Sequence, residues 1–143
     1  MDSLVTIYTD GACIPNPGKG GWGASLRFKN TYIEIYGYEP QATNNRMELS
    51  AAMFALAKLN RPSNVIVYSD SKYVVDGMSK WYPNWKKKGK TDYLNQGLWE
   101  QIGDIASIHS ITWQWVRGHA GNPGNERADE LAMMGLTTES NQF

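Results

Sequence analysis

The chain has 143 residues, Lys+Arg 14 against Asp+Glu 14, one cysteine and two histidines. That length makes one domain, with enough chain to bury a core unaided by disulfides or structural metal, and excludes a multi-domain machine. Balanced charge excludes a global field that would attract polyanions or membranes, so any nucleic-acid contact must come from local clustering. Cys13 alone cannot form an internal disulfide, and with His109 and His119 as the only histidines there is no four-ligand Cys/His zinc site. The opening MDSLVTIYTD has an acidic second residue and a short apolar run, unlike a secretory signal or a membrane span, and the expected location is cytoplasmic.

Residues 1–136 read as the domain and the polar stretch 137–143 as a frayed tail. Leu4 to Thr9 is β-branched and aromatic on both parities, as in a central strand covered on both faces. Trp22 to Phe28 and Tyr32 to Tyr38 flank the polar Lys29-Asn30-Thr31 and read as a hairpin. Gly18-Lys19-Gly20-Gly21-Trp22-Gly23 has the glycine spacing of a dinucleotide loop, but a strand follows it where that loop needs a helix. After Thr43-Asn44-Asn45, suited to a helix start, Leu49, Ala52, Met53 and Leu56 repeat at helical spacing.

Val65 to Tyr68 reads as a second covered strand, and a short helix follows Ser69-Asp70-Ser71 through Val74, Val75 and Met78. Leu98, Trp99, Ile102, Ile105 and Ala106 mark another helix, Ile111 to Val116 an alternating strand, and Asn125 to Gly135 a last helix. The order predicts an α/β fold: a five-stranded mixed β-sheet flanked by α-helices, its fourth and fifth strands parallel to the first.

Tyr8-Thr9-Asp10 and Tyr68-Ser69-Asp70 each end an apolar strand with a hydroxyl residue and an aspartate. Parallel neighbours would bring Asp10 and Asp70 together at the carboxyl ends, where open α/β sheets place ligands. Either aspartate alone is equally explained as opening a turn or capping a helix. Glu48 shares an inward stripe with Ala52, Ala55 and Leu59, and Asp129 one with Ala132, Met133 and Leu136. Capping with Asn45, or a favourable place near a helix N-terminus, explains each of these singly. Four converging carboxylates without basic partners need a hard divalent cation, and oxygen-only ligation points to Mg2+ or Mn2+. Two such ions would clamp an in-line phosphodiester displacement.

The phrases TDGACIPNPGKGGWGA, TNNRMELSAA, YSDSKYV and WVRGHAGNPGNERADELA resemble, in order, the blocks of the ribonuclease H type 1 family, across residues 4–136. The resemblance implies the ribonuclease H-like fold and a two-metal-ion endoribonuclease that cuts the RNA strand of RNA/DNA hybrids. It would leave 5′-phosphate and 3′-hydroxyl ends without sequence preference and remove RNA primers and R-loops. It puts the catalytic and metal-holding carboxylates on Asp10, Glu48, Asp70 and Asp129, with Mg2+ as cofactor and Mn2+ as substitute. His119, between Gly118 and Gly121, matches the family's loop histidine that assists proton transfer or product departure, and an exposed loop histidine is the plain alternative. His109 carries no motif and reads as a surface or helix-end residue.

Asn16, Thr43, Asn44 and Asn45 resemble the family's contacts to the hybrid backbone, and Gly11 with Glu48 its contacts to the 2′-hydroxyl. The segment Lys80 to Lys90 holds five lysines, two tryptophans and no acids. Its Trp81, Trp85, Lys86, Lys87 and Lys88 resemble the family's basic protrusion, against the alternative of a solvated basic face with tryptophan in the core. Three features depart from the pattern: the connection Gly89 to Gly97 is shorter, and Lys72 and Asp76 stand where glutamine is common. Lys72 would strengthen phosphate binding, while Asp76 puts one 2′-hydroxyl or base-edge contact in question. The expected partner is a hybrid duplex and the expected state a monomer, with no membrane and no obligate protein partner. Competing readings are another nuclease of this fold and a catalytically silent hybrid-binding module.

Overall fold

The computed structural model describes residues 4–143, so the first three residues of the expected domain lie outside the described residues. Five strands form one sheet: β1 (Leu4–Cys13), β2 (Gly18–Phe28), β3 (Thr31–Ala42), β4 (Asn64–Ser69) and β5 (Ser110–Trp115), in the order β3-β2-β1-β4-β5. The first three run antiparallel, β4 is parallel to β1 and β5 parallel to β4, the mixed sheet expected from the element order. The helices are α1 (Asn44–Ala57), α2 (Lys72–Asp76), α3 (Tyr82–Lys87), α4 (Gln96–Ala106) and α5 (Pro123–Thr138). A π-helical turn, Gly77–Trp81, joins α2 to α3.

Neighbouring residues of a strand face opposite sides of the sheet, which sorts the helices into two layers. Gly11 of β1 and Gly20 of β2 meet Met47 of α1 on one side, while Gly21 and Gly23 of β2 meet Leu131 to Leu136 of α5 on the other. The core joins Val5, Ile7, Val65 and Val67 of the central strands to Leu49, Ala52 and Leu56 of α1 and to Trp99 and Ile102 of α4. Tyr8 and Tyr68 stack across β1 and β4 with ring centroids 4.7 Å apart. The glycine-rich stretch 18–23 is thus strand, and its Gly21 and Gly23 serve close approach of the α5 backbone rather than a phosphate loop.

Three expectations need correction. The start of α1 is capped by Thr43, whose Oγ1 accepts the Arg46 N–H at 3.1 Å, so Glu48 is not a capping partner of Asn45. The last helix runs past Gly135 to Thr138. The tail beyond it is docked instead of frayed: Tyr36 and Gln142 exchange backbone hydrogen bonds of 3.0 and 2.8 Å, and Tyr38 N–H donates to Asn141 Oδ1 at 2.9 Å. The Phe143 ring sits 4.6 Å from Phe54 and 5.4 Å from Trp22, centroid to centroid. His109 lies half-buried in the turn between α4 and β5, past the helix end, and its Nδ1 accepts the Ser63 N–H at 3.1 Å, fastening the approach to β4.

Candidate active site

The site forms where β1 and β4 end side by side. Parallel register pairs Thr9 with Ser69, so the next residues, Asp10 and Asp70, leave the sheet at the same level. Two glycines beside Asp10 then admit a helix from each face. Gly11 has no side chain between β1 and the backbone of Met47 and Glu48, and this lets α1 approach closely enough to carry Glu48 to the strand end. Gly23, directly across from Asp10 in β2, leaves room for α5 between Ala128 and Ala132, which brings Asp129 against Asp10. One carboxylate oxygen each from Asp10, Glu48 and Asp70 lies within 4.8 Å of the other two. Three of the four acids nominated from sequence therefore meet, and the fourth, Asp129, lies against Asp10.

The electrostatics of this cluster are unfavourable for four anions. Burial, then the Asp70 carboxylate, with a smaller contribution from Asp129, pushes Asp10 up to about 8 from an ordinary 3.8, while the Gly11 N–H on its Oδ1 at 2.9 Å pulls the other way. Glu48 is held well above the usual carboxylate range, first by burial and then by Asp10 and Asp70. Its buried Oε1 has no hydrogen-bond partner. Among the described residues no Lys, Arg or His pairs with any of the four. An all-oxygen donor set, an orphaned buried carboxylate oxygen and no internal cation together fit a hard divalent ion.

The other nominated residues fall into three places. His119 is exposed, with φ 55°, in the loop between β5 and α5. That loop runs close to the site, since a Cβ on Gly118 would stand 2.7 Å from Asp70 Oδ2. Asn16, Thr43, Asn44 and Asn45 gather at the exposed N-terminus of α1, where Asn16 Oδ1 accepts the Asn44 N–H at 3.2 Å.

Trp81, Trp85, Lys86, Lys87 and Lys88 sit on the π-helical turn and α3, the lysines exposed around the C-terminal end of α3. Trp85 is half-buried against Trp99 and Tyr93, whereas Trp81 keeps 39% of its surface open. A groove of about 520 Å³ lies beside the N-terminus of α1, lined by Thr43 and Arg46 together with Leu94 and Asn95 of the segment before α4. Arg46 lies within the TNNRMELSAA phrase without being nominated, while Leu94 carries no motif signal and owes its place to the loop after Lys88 folding toward α1.

Lys72 opens α2 two residues after Asp70, and its ammonium lies 4.9 Å from the centre of the Trp115 ring. Asp76 is engaged by Lys80 at 3.7 Å.

Comparison with known proteins agrees with this geometry. The RNase H family model matches residues 2–137. A ribonuclease H of Stutzerimonas stutzeri is 51% identical over 146 residues, covering 99% of this chain and 97% of that protein. The ribonuclease HI of Pseudomonas aeruginosa strain PAO1 is 52% identical over 137 residues, 92% of this chain and 93% of that one. Among solved structures, LC9-RNase H1, described as a type 1 RNase H with the type 2 active-site motif, superposes with a TM-score of 0.91 at 28% identity, over 99% of this chain and 76% of that chain. The N-terminal RNase H domain of rv2228c from Mycobacterium tuberculosis gives 0.78 at 30% identity, over 96% of each. With its five-stranded sheet, its carboxylate cluster and relatives half identical along nearly the whole chain, the protein belongs to the RNase H family.

Proposed function

We propose that the protein is an endoribonuclease that hydrolyses the RNA strand of RNA/DNA hybrids, leaving 5′-phosphate and 3′-hydroxyl ends, with Mg2+ as its cofactor and Mn2+ as a substitute. The observation that carries this reading is the convergence of Asp10, Glu48 and Asp70 within 4.8 Å with no cation beside them, in a chain of this family. Asp10, Glu48, Asp70 and Asp129 would hold two divalent ions. Bound there, the ions supply charge compensation, an activated water and stabilisation of the leaving oxygen.

The chain's own groups then have distinct tasks. Asp10 gives up the proton that burial and the neighbouring Asp70 carboxylate make it keep to about pH 8, so ion binding near neutral pH releases a proton to solvent. His119, on its exposed loop, has the role of passing a proton to the departing 3′-oxygen, as the family resemblance implies. Thr43 and Asn45 offer main-chain N–H groups at a helix N-terminus, Asn44 is held there by the Asn16 amide oxygen, and the side chains of this group suit phosphate and sugar rather than base edges. Gly11 and Glu48 meet the 2′-hydroxyl, the group that separates RNA from DNA at the cut strand. The protein acts as a cytoplasmic monomer on primers and R-loops, and no described helix is long and apolar enough to cross a membrane.

Lys86, Lys87 and Lys88 make no ion pair among the described residues, and α3 ends on them. Trp81 and Trp85 give that surface apolar area for deoxyriboses. Lys87→Ala should weaken hybrid binding and flatten the slope of log K against log salt by about 1. A titration at several salt concentrations checks this, and an unchanged slope would remove the protrusion from the binding surface.

Product ends test the reaction itself. With Mg2+, an end-labelled hybrid should yield RNA fragments bearing 5′-phosphate and 3′-hydroxyl, and a chelator should stop cleavage. Cyclic or 3′-phosphate ends would mean attack by the RNA's own 2′-hydroxyl and would overturn the assignment.

A further inference from the structure

Trp115 ends β5 with 39% of its surface open, an unusual use of a large apolar side chain at the end of an edge strand. Its indole is nonetheless engaged twice. Along the edge, Nε1–H donates to the main-chain carbonyl of Asp70 at 3.1 Å. Over the face lies the Lys72 ammonium, 4.9 Å from the ring centre, a cation–π arrangement. The next residue, Val116, donates its N–H to the carbonyl of Ser69 at 2.9 Å. The chain leaving β4 is therefore held at two successive carbonyls by the chain leaving β5.

Asp70 needs such a tether. It sits in the short bend between β4 and α2, without a regular hydrogen-bond ladder of its own, and it faces the Asp10 and Glu48 carboxylates. Ser69 Oγ accepts the Ser71 N–H at 3.0 Å, tightening the bend from within, but only the Trp115 indole grips Asp70's own carbonyl among the side-chain contacts of the described residues. The same indole fixes the direction of Lys72, whose long stem would otherwise sweep through solvent.

We propose that Trp115 is a positioning residue for the hydrolysis: its N–H sets the backbone that aims Asp70, and its ring presents Lys72 to a phosphodiester of the bound strand beside the cut. This rests on the ribonuclease reading above. One side chain thereby ties strand binding to the placement of a carboxylate.

Three variants separate the parts. Trp115→Phe keeps a ring face and deletes the donor, Lys72→Gln deletes the charge, and Trp115→Leu deletes both contacts. With Trp115→Phe, kcat on a hybrid should fall about tenfold with little change in KM, and the Kd for Mg2+ measured by calorimetry without substrate should rise by a similar factor. A merely structural role would lower the number of competent sites and leave that Kd where it was. Lys72→Gln should raise the Kd for a hybrid in the presence of chelator and flatten its salt slope by about 1. Trp115→Leu should show both effects. An unchanged Mg2+ Kd in Trp115→Phe, or an unchanged salt slope in Lys72→Gln, overturns the proposal. Hybrid cleavage by the unaltered chain in the same assay keeps this outcome distinct from failure of the ribonuclease reading.

Discussion

Asp10→Asn should abolish cleavage while leaving hybrid binding close to that of the parent. Asp10 stands at the centre of the cluster, with Asp70 and Glu48 on one side and Asp129 on the other. The amide keeps the shape and can still meet the Gly11 N–H, but it removes the negative charge that a divalent ion needs. Losing about 4 kcal/mol of transition-state stabilisation corresponds to about 10³-fold in rate. Binding should persist because the lysines of α3 and the N-terminus of α1 lie outside the cluster.

The same substitution should stabilise the metal-free protein, and the sign follows from the direction of the shift. Asp10 holds its proton to about pH 8 when folded and releases it near 3.8 when unfolded, so the folded state binds more protons between these values. Stability without metal therefore falls as pH rises through that interval. Asp10→Asn removes this dependence and should gain about 1–2 kcal/mol at pH 8 in chelator. Denaturant melts at pH 5 and pH 8 check the sign. A variant that is less stable than the parent at pH 8 would show that the carboxylates do not repel as described.

Gly11→Ala should damage stability and chemistry together. A Cβ at position 11 would meet the backbone N of Glu48 and C of Met47, and would stand 2.9 Å from Met47 Cβ. Helix backbone cannot turn aside like a side chain, so α1 must move off β1. The cost should be about 3 kcal/mol. Because Glu48 lies at the very point of contact, its carboxylate leaves the cluster, and kcat of the folded fraction should fall about 100-fold. Gly37→Ala is the control. There the added methyl presses on the Trp22 indole instead of on the backbone of Glu48, so stability falls and kcat below the melting temperature does not. Equal loss of kcat in both variants would mean that Gly11 acts only through stability.

The carboxylates were legible in the sequence because two physical regularities coincide at them. Strands that end in a hydroxyl residue and an aspartate put charge at the edge of a sheet, and inward stripes on two helices carried Glu48 and Asp129 with their apolar neighbours. The parallel direction of β4 and β5 followed from the helices that join them to the strands before. What escaped is non-local. The extension of β2 through Gly18 to Gly21 was hidden because glycine has weak strand preference, and its value here is the helix backbone lying against it. The tail read as frayed because its residues are polar, yet Gln142 and Phe143 find partners about a hundred residues away at Tyr36 and on Trp22 and Phe54. Three cap-forming residues in a row left Thr43, Asn44 and Asn45 undivided until the backbone chose Thr43. Trp115 looked like one more residue on an alternating strand, because its partner is a carbonyl and carbonyls leave no mark in a sequence.

The most direct test of the central claim is cleavage of one end-labelled sequence prepared as RNA/DNA hybrid, RNA duplex, DNA duplex and single-stranded RNA, each with Mg2+ and with chelator. The carboxylate cluster and its surrounding backbone contacts predict metal-dependent cutting of the RNA strand of the hybrid alone. Cutting of the DNA duplex, or tight hybrid binding with no cleavage at any Mg2+ concentration, would contradict it.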